Sequence, residues 1–225
     1  MTWTAHLPLI AILRGIRPDE VLAHTQALVD VGFDAIEIPL NSPDWAQSVR
    51  LVARAFGDRA LIGAGTVLKP DDVELMVAAG GKLVVTPNTN ADVIRAAAAR
   101  KLVTCIGCMT ATEAFAALDA GAQALKIFPA GAIGPGYVRA LKAVLPAEVP
   151  VFAVGGITPE NLADYLAAGC IGAGLGSDLY RPGQPVERTA ERARAFVTAY
   201  RSAQSDRLER TIDSIHENHP PDHVP

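Results

Sequence analysis

Eight short apolar runs recur along the chain, and each is followed by a polar turn and a longer stretch rich in alanine and leucine. The runs span residues 9–14, 34–39, 60–66, 82–87, 102–107, 124–129, 151–156 and 171–177. Runs of this length predict buried β-strands, and the stretches between them predict helices. Strands that alternate with helices run parallel. Eight such units favour an α/β fold with one closed (β/α)8 barrel over an open, doubly wound sheet.

Proline and acidic residues mark the starts of several predicted helices. These starts lie at residues 18–20, 42–44, 69–72 and 158–160. Proline suits the first turn because no partner exists there for its missing N–H, and acids favour the positive end of the helix dipole. Four glycines near the predicted helix ends indicate left-handed caps. They are Gly32, Gly80, Gly121 and Gly169.

Composition indicates one compact domain followed by a polar tail. Half of the 225 residues are hydrophobic and 20% are charged, which is enough to bury a substantial core. We therefore expect the barrel to span residues 1–203 and residues 204–225 to form a disordered tail. His216, His219 and His223 in the tail have the spacing of a metal tract, but two consecutive prolines interrupt it. We expect no metal there.

The charge pattern excludes several classes of partner. The net charge is −4, and charges of both signs are scattered along the chain, so we expect neither nucleic acid nor an anionic membrane as a partner. No apolar run approaches the roughly 18 residues of a membrane span, and no basic region precedes the first apolar run. These features predict a cytoplasmic protein in which any anion site is local.

The three cysteines do not form a disulfide framework. Cys105 and Cys108 form a C-x-x-C pattern within the fifth predicted strand. Positions three apart on a strand point to opposite faces, which makes shared metal ligation awkward. We therefore expect buried free thiols.

A lysine interrupts the apolar run "ALKIFP", residues 124–129. Leu125 and Ile127 share one parity and are predicted to pack against the helices, so Lys126 and Phe128 point into the barrel. In the second strand, the same alternation turns Glu37 inward. Lys126 and Glu37 are either a structural ion pair or a functional one. Function is favoured because burying two charges costs several kcal/mol per ion unless their geometry is excellent.

The residue types near these strand ends suit carbonyl chemistry. A lysine attacks a carbonyl carbon only as the neutral amine, so its pKa must be lowered by desolvation or by a nearby cation such as Arg14. Glu37 suits the role of general acid and base. Arg14 and Thr66 end the first and third strand runs, and both suit a substrate carboxylate.

The last two strands end in glycine-rich turns. Gly155, Gly156, Gly176 and Ser177 follow strands seven and eight, where barrels often bind phosphate, and they predict a phosphorylated substrate. No histidine lies at a strand end, which disfavours a metal-dependent aldolase. We expect neither a metal nor a cofactor.

The order of the motifs "EIPLNSP", "GAGTV", "VTPN", "ALKIFPA", "VGGITPEN" and "GLGSDLY" resembles that of the class I 2-keto-3-deoxy-6-phosphogluconate and 2-keto-3-deoxy-6-phosphogalactonate aldolases. The resemblance covers residues 7–203. It implies a homotrimer of (β/α)8 barrels that cleaves a phosphorylated keto-deoxy sugar acid to pyruvate and glyceraldehyde 3-phosphate.

The resemblance also implies roles for individual residues. Lys126 is expected to form the Schiff base and Glu37 to act as acid and base. Thr66 is expected to hold the pyruvate carboxylate, and Pro87 and Phe128 to form apolar walls beside pyruvate. The four residues of the glycine-rich turns are expected to bind the phosphate.

Two departures favour the galactonate branch of this family. The gluconate-type enzymes typically carry arginine where this chain has Asn41, so Arg14 is the candidate for the missing guanidinium. They also carry threonine where Val154 precedes the glycine pair. Loss of that hydroxyl is expected to alter preference at C4, where the two substrates differ.

Two other functions fit the same barrel, besides the gluconate-type aldolase. A phosphosugar isomerase or epimerase would use the same glycine-rich turns, with Glu37 and Lys126 as acid and electrostatic partner. A non-catalytic sugar-phosphate binding protein would keep the glycines but would have little reason to keep Lys126 and Glu37 together. Covalent chemistry at Lys126 distinguishes the aldolase from both.

Overall fold

The structure, a computed structural model, describes the backbone of residues 7–218 and the side chains of residues 7–206 and 209. Eight strands alternate with eight helices in the described chain, as predicted. The strands are β1 Leu9–Ile12, β2 Ala35–Pro39, β3 Leu61–Gly65, β4 Leu83–Val85, β5 Val103–Cys108, β6 Ala124–Ile127, β7 Val151–Val154 and β8 Gly172–Leu175. The helices are α1 Val21–Val31, α2 Trp45–Phe56, α3 Pro70–Ala78, α4 Ala91–Ala99, α5 Ala111–Asp119, α6 Ala130–Lys142, α7 Leu162–Ala167 and α8 Val186–Asn218.

The eight strands form a closed parallel barrel in sequence order, with β8 paired to β1. The predicted (β/α)8 fold is therefore confirmed. The register places Ile12 beside Glu37 and Gly107 beside Lys126. Because all strands run in the same direction, the loops after their carboxyl ends meet at one face of the barrel.

Alternation along the strands divides the core into an inner and an outer layer. Ala124, Val154 and Cys105 belong to an apolar cluster inside the barrel. Leu125 and Ile127 belong to the larger cluster between the barrel and the helices. The parity predicted for β6 is confirmed, since Lys126 alternates with these outward residues and lines a cavity at the carboxyl end of the barrel.

The predicted helix start is confirmed at α3, while α1 and α2 begin one residue past the predicted stretches, at Val21 and Trp45. Helix α3 begins at Pro70, and the four predicted cap glycines all have positive φ, with Gly32 at 111°. Helix α7 begins at Leu162, later than the predicted start at residues 158–160. The reason is that the Asn161 side chain accepts a hydrogen bond from the Thr158 N–H at 2.9 Å, which closes a turn before the helix.

Helix α8 packs on α1 and α7 and continues past residue 203, where the sequence analysis placed the end of the barrel domain and the start of a disordered tail. Residues 204–218 contain neither proline nor glycine, so nothing in their backbone chemistry ends the helix. His219 and His223 lie outside the described residues. The domain boundary at residue 203 stays a prediction.

The cysteines are free and buried, as predicted. Cys105 lies in the inner cluster and Cys108 in the outer one, so the C-x-x-C pair points to opposite faces of β5. Within residues 7–218, no helix is long and apolar enough to cross a membrane. The described part of the chain also contains no cluster of three or more histidine, cysteine, aspartate or glutamate residues with metal-binding geometry.

Candidate active site

A cavity of about 380 Å³ opens at the carboxyl end of the barrel strands. It is formed by the ends of strands β1, β6, β7 and β8 and by the loops that follow them. The sequence-predicted residues that line it are Arg14, Lys126, Phe128, Val154, Gly155, Gly156, Gly176 and Ser177. Side chains from separate strand ends therefore meet at one site, as the barrel topology requires.

The Lys126 amine lies at the inner end of this cavity. The residue is 5% exposed, and Nζ is 5.0 Å from the centre of the Phe128 ring. Burial lowers the pKa of Lys126, while the Glu37 carboxylate opposes this change and Arg14 adds to it. On the neighbouring strand β5, the residue paired with Lys126 is Gly107, whose side chain is a single hydrogen atom. Desolvation therefore favours the neutral, nucleophilic amine.

Glu37 is buried beside the lysine in β2. It is 1% exposed, and burial raises its pKa to about 7, although Lys126 and Arg14 both act to lower that pKa. A Cβ atom at Gly65 would come within 1.9 Å of a Glu37 carboxylate oxygen, so this glycine makes the space for the carboxylate. A carboxyl group with a pKa near neutrality can both accept and donate a proton.

Lys126 and Glu37 influence each other without pairing. Each shifts the pKa of the other, yet among the described residues they form neither a hydrogen bond nor an ion pair with each other. Glu37 Oε2 is buried and has no hydrogen-bond partner in this part of the chain. A pair selected for stability would be satisfied, because an unpartnered buried carboxylate oxygen is costly.

Arg14 is held at the cavity wall by polar side chains from the next two strand ends. Its Nη1 donates to Asn41 Oδ1 at 2.6 Å, and both terminal nitrogens reach Thr66 Oγ1 at 3.4 Å. Thr66 itself has a φ of 58°, a conformation that a β-branched residue rarely adopts and that is typical of functional sites. The Gly15 N–H donates to Ser42 Oγ at 2.9 Å. Residues 41 and 42 therefore fix both the guanidinium and its loop.

The turn after β7 brings backbone close to the cavity. Gly155 and Gly156 have φ values of 91° and 74°, which only glycine adopts without strain. The Gly155 carbonyl accepts from the Gly131 N–H at 2.7 Å, and the Gly156 carbonyl accepts from the Asn161 side chain at 2.9 Å. With both carbonyls bonded away from the cavity, the turn suits an anion rather than a cation.

Three predicted site residues do not line the cavity directly. Glu37 lies deeper in the barrel than the cavity, and Thr66 contacts Arg14. Pro87 lies against Gly107, which belongs to the strand next to that of Lys126. Several lining residues were not predicted: Ile12, Ile157, Thr158, Gly174 and Asp178. Strand parity could have identified two of these residues. Ile12 points to the face of its strand opposite that of Leu13, and Gly174 is paired with Val154, which was predicted. No sequence signal identified Asp178.

Several named proteins have sequences similar to that of this chain. A family model described as "Aldolase: KDPG and KHG aldolase" matches residues 2–189. The chain is 64% identical over 203 residues to the 2-dehydro-3-deoxy-6-phosphogalactonate aldolase of Escherichia coli K12, covering 90% of this chain and 99% of that protein. It is 29% identical to the KHG/KDPG aldolase of the same organism, covering 71% and 75%.

Comparison with solved structures supports the same family. "Native KDPGal structure" is 64% identical with a TM-score of 0.90 and covers 91% of this chain and all of that one (100%). A cage "designed by fusing symmetric oligomeric domains" is 62% identical with a TM-score of 0.93, covering 94% and 78%. A KDPG aldolase from Legionella pneumophila, with pyruvate captured as a covalent carbinolamine, is 26% identical with a TM-score of 0.77, covering 87% and 95%. This chain belongs to the KDPG and KHG aldolase family.

Proposed function

We propose that this protein is a class I aldolase that reversibly cleaves 2-dehydro-3-deoxy-6-phospho-D-galactonate to pyruvate and D-glyceraldehyde 3-phosphate. The observation that carries the proposal is the buried Lys126 amine near the Glu37 carboxyl group, one oxygen of which has no hydrogen-bond partner among the described residues. These two groups are the nucleophile and the proton carrier that imine chemistry needs.

Lys126 begins the reaction. Its neutral Nζ adds to the C2 carbonyl carbon of the substrate to give a carbinolamine. Protonated Glu37 then donates a proton to the carbinolamine hydroxyl, which leaves as water, and the products are an iminium ion and the ionised Glu37 carboxylate. The inward parity of Lys126 and the desolvation that lowers its pKa support this role. The covalent carbinolamine captured in the Legionella pneumophila relative is the same type of intermediate.

Glu37 moves the protons. The ionised carboxylate takes the proton of the C4 hydroxyl, the C3–C4 bond breaks, and its electron pair moves into an enamine as the aldehyde is released. Protonated Glu37 then returns a proton to C3 of the enamine. Water hydrolyses the resulting imine to pyruvate and the free amine. A pKa of about 7 suits both halves of this cycle.

Two groups of residues orient the substrate. Arg14 and Thr66 hold the C1 carboxylate, since the guanidinium and the hydroxyl already face each other at 3.4 Å. Gly155, Gly156 and the turn at Gly176 and Ser177 bind the C6 phosphate through the backbone. Phe128 and Pro87 form the apolar walls beside the pyruvate portion. No metal or cofactor takes part in this scheme.

We base the preference for the galactonate epimer on Val154, a residue in the wall of the cavity. Val154 presents methyl groups where a gluconate-type enzyme would present a hydroxyl. The identity of 64% to a phosphogalactonate aldolase, against 29% to a KHG/KDPG aldolase, supports the same branch. The gluconate epimer is the alternative substrate.

A pyruvate-release assay tests the substrate. We expect kcat/KM for the galactonate epimer to exceed that for the gluconate epimer by at least about tenfold, as expected for one hydroxyl contact. Val154→Thr keeps the volume and adds a hydroxyl, so it should shift the ratio towards the gluconate epimer. A higher kcat/KM for the gluconate epimer in the unmodified protein would refute the branch assignment. The absence of pyruvate release would leave the isomerase and the sugar-phosphate binding protein.

We further infer that the protein is a homotrimer located in the cytoplasm. The related cage was built from symmetric oligomeric domains, and that description supports an oligomer. The mass of the full chain in solution, measured by light scattering, is expected to be three times the 23.6 kDa of one chain. A mass of one or two chains would contradict the trimer without affecting the chemistry at Lys126.

A further inference from the structure

The turn after β8 carries a carboxylate at the place proposed for a phosphate. Asp178 follows Gly176 and Ser177 directly, and all three residues line the active-site cavity. The turn is closed by hydrogen bonds from the N–H groups of Leu179 and Tyr180 to the Gly176 carbonyl, each at 2.9 Å. The Asp178 side chain is 31% exposed. A negative side chain here would repel the phosphate unless its charge were offset.

Arg192, from the second turn of α8, offsets that charge. Its Nη2 forms an ion pair with Asp178 Oδ2, and its Nε donates to the Asp178 carbonyl at 2.9 Å. The guanidinium also lies 5.7 Å from the centre of the Phe196 ring, and the side chain is only 19% exposed. The arginine therefore holds both the carboxylate and the backbone of residue 178.

A second arginine holds the preceding residue in the same way. Arg181 Nε donates to the Ser177 carbonyl at 2.9 Å. Residues 177 and 178 thus form a wall between the active-site cavity and a second, polar cavity of about 180 Å³ that Arg181, Arg188 and Arg192 line. Arg188 differs from the other two, because its guanidinium pairs with Glu191 at 2.7 Å.

The geometry points to Arg192 as the positioning residue that makes the β8 turn acceptable to a phosphate dianion. We propose that it acts by neutralising Asp178 and by directing the carbonyl of residue 178 away from the cavity. Arg181 does the same for the carbonyl of Ser177. The inference rests on the proposed function and assigns it a source of selectivity for the phosphorylated substrate.

Steady-state kinetics on two substrates test this proposal. Arg192→Met should raise KM for the phosphorylated substrate by about tenfold, the change expected from 1.4 kcal/mol of lost binding. Its KM for the same sugar acid without phosphate should change by less than about twofold, and kcat should be similar for both substrates. Arg188→Met is the matched control, because it removes an arginine of the same cavity that contacts neither residue 177 nor residue 178.

The carboxylate supplies a second, independent test. Asp178→Asn removes the negative charge and leaves Arg192 uncompensated, so KM for the phosphorylated substrate should fall. In the double variant Asp178→Asn with Arg192→Met, much of the lost affinity should return, because no carboxylate remains to repel the phosphate. A purely structural role for Arg192 predicts no such rescue. Asp178→Asn alone decides the matter if Arg192→Met does not fold.

Binding of glycerol 3-phosphate, followed by NMR of the full chain, separates this inference from the proposed function. We expect its affinity to fall in Arg192→Met and to rise in Asp178→Asn, whether or not the protein cleaves any sugar acid. An equal loss for substrates with and without phosphate, or unchanged phosphate binding in both variants, would overturn the inference. Absence of pyruvate release with intact phosphate effects would instead overturn only the proposed function.

Discussion

Two pairs of buried polar side chains in the described part of the chain are built in opposite ways. Inside the barrel, Lys126 and Glu37 are within electrostatic reach but unpaired, and one carboxylate oxygen has no partner among the described residues. Between α1 and α8, His24 Nδ1 lies 2.8 Å from Thr189 Oγ1. Gln184 Nε2 donates a hydrogen bond to the same hydroxyl at 2.7 Å.

The difference separates the pair that we propose to be reactive from a structural one. His24 is 2% exposed, and its ring packs edge-on against Tyr180 at 5.0 Å; neither residue lines the active-site cavity. Its polar atom is satisfied, so the pair stabilises the fold. The polar atoms of Lys126 and Glu37 stay available to a substrate, and leaving them unpaired lowers the stability of the fold. The two pairs should therefore respond oppositely to substitution.

The largest expected effect is on activity, from Lys126→Met. Without the amine no imine forms, so pyruvate release should fall by at least about 10⁴-fold, a typical loss on removal of a covalent nucleophile. The free energy of unfolding should stay constant or rise, because a buried polar amine is replaced by an apolar side chain of similar length. Coupled kinetics and thermal unfolding of the same preparation measure both. A destabilised but active variant would make Lys126 structural.

Glu37→Gln should slow the reaction by about 10²- to 10⁴-fold, the usual contribution of a general acid or base. The acid limb of kcat/KM, expected near pH 7 in the unmodified protein, should disappear with it. Retention of that limb in the variant would assign it to another group.

The same variant should reveal a pH-dependent stability. The pKa of Glu37 is raised from 4.5 to about 7, so the folded protein binds a proton that the unfolded chain has lost. Stability from the neutral carboxyl is thus complete below pH 4.5 and lost as the pH rises to about 7, on the order of 3 kcal/mol. Denaturant unfolding from pH 4.5 to 8 should show this slope in the unmodified protein and not in Glu37→Gln.

His24→Ala should do the reverse. We expect the free energy of unfolding to fall by about 1–3 kcal/mol, because a satisfied buried hydrogen bond is lost, while kcat and KM stay unchanged. Burial lowers the pKa of His24 below its usual 6.5, so the stability from the neutral ring is present above pH 6.5 and lost as the pH falls. The difference in the free energy of unfolding between the unmodified protein and His24→Ala should therefore decrease as the pH falls below 6.5. Loss of activity without loss of stability would contradict this assignment.

The smallest effect is expected at Asn41, which orients Arg14 without facing the substrate. Asn41→Ala removes the 2.6 Å bond to the guanidinium, and we expect KM to rise by about three- to tenfold with little change in kcat. Ser42→Ala is the neighbouring control, since it frees the Gly15 N–H but leaves the guanidinium contact intact. A fall in kcat equal to that of Glu37→Gln would place Asn41 among the reacting groups.

Much of the site could be predicted because strand parity and strand ends are local properties of the sequence. Alternation alone turned Lys126 and Glu37 inward, and the glycine-rich turns marked the ends of β7 and β8. Their meeting in one cavity follows from barrel closure, which the repeated pattern also predicts.

The contacts that the sequence did not predict join residues far apart in the chain. Asn41 bonds Arg14 from 27 positions away, and His24 meets Thr189 across 165 positions. Such contacts depend on how loops and helices pack, and no periodicity encodes them. The sequence does not set the length of α8 for a different reason, since polar residues without proline or glycine are compatible with both a helix and a tail.

The central claim is that Lys126 bonds covalently to the substrate. Incubation with pyruvate and borohydride, followed by peptide mass spectrometry, tests it directly. We expect a stable reduced adduct of pyruvate on Lys126, absent from Lys126→Met and absent without pyruvate. No adduct, or an adduct confined to an exposed lysine such as Lys101, would contradict it.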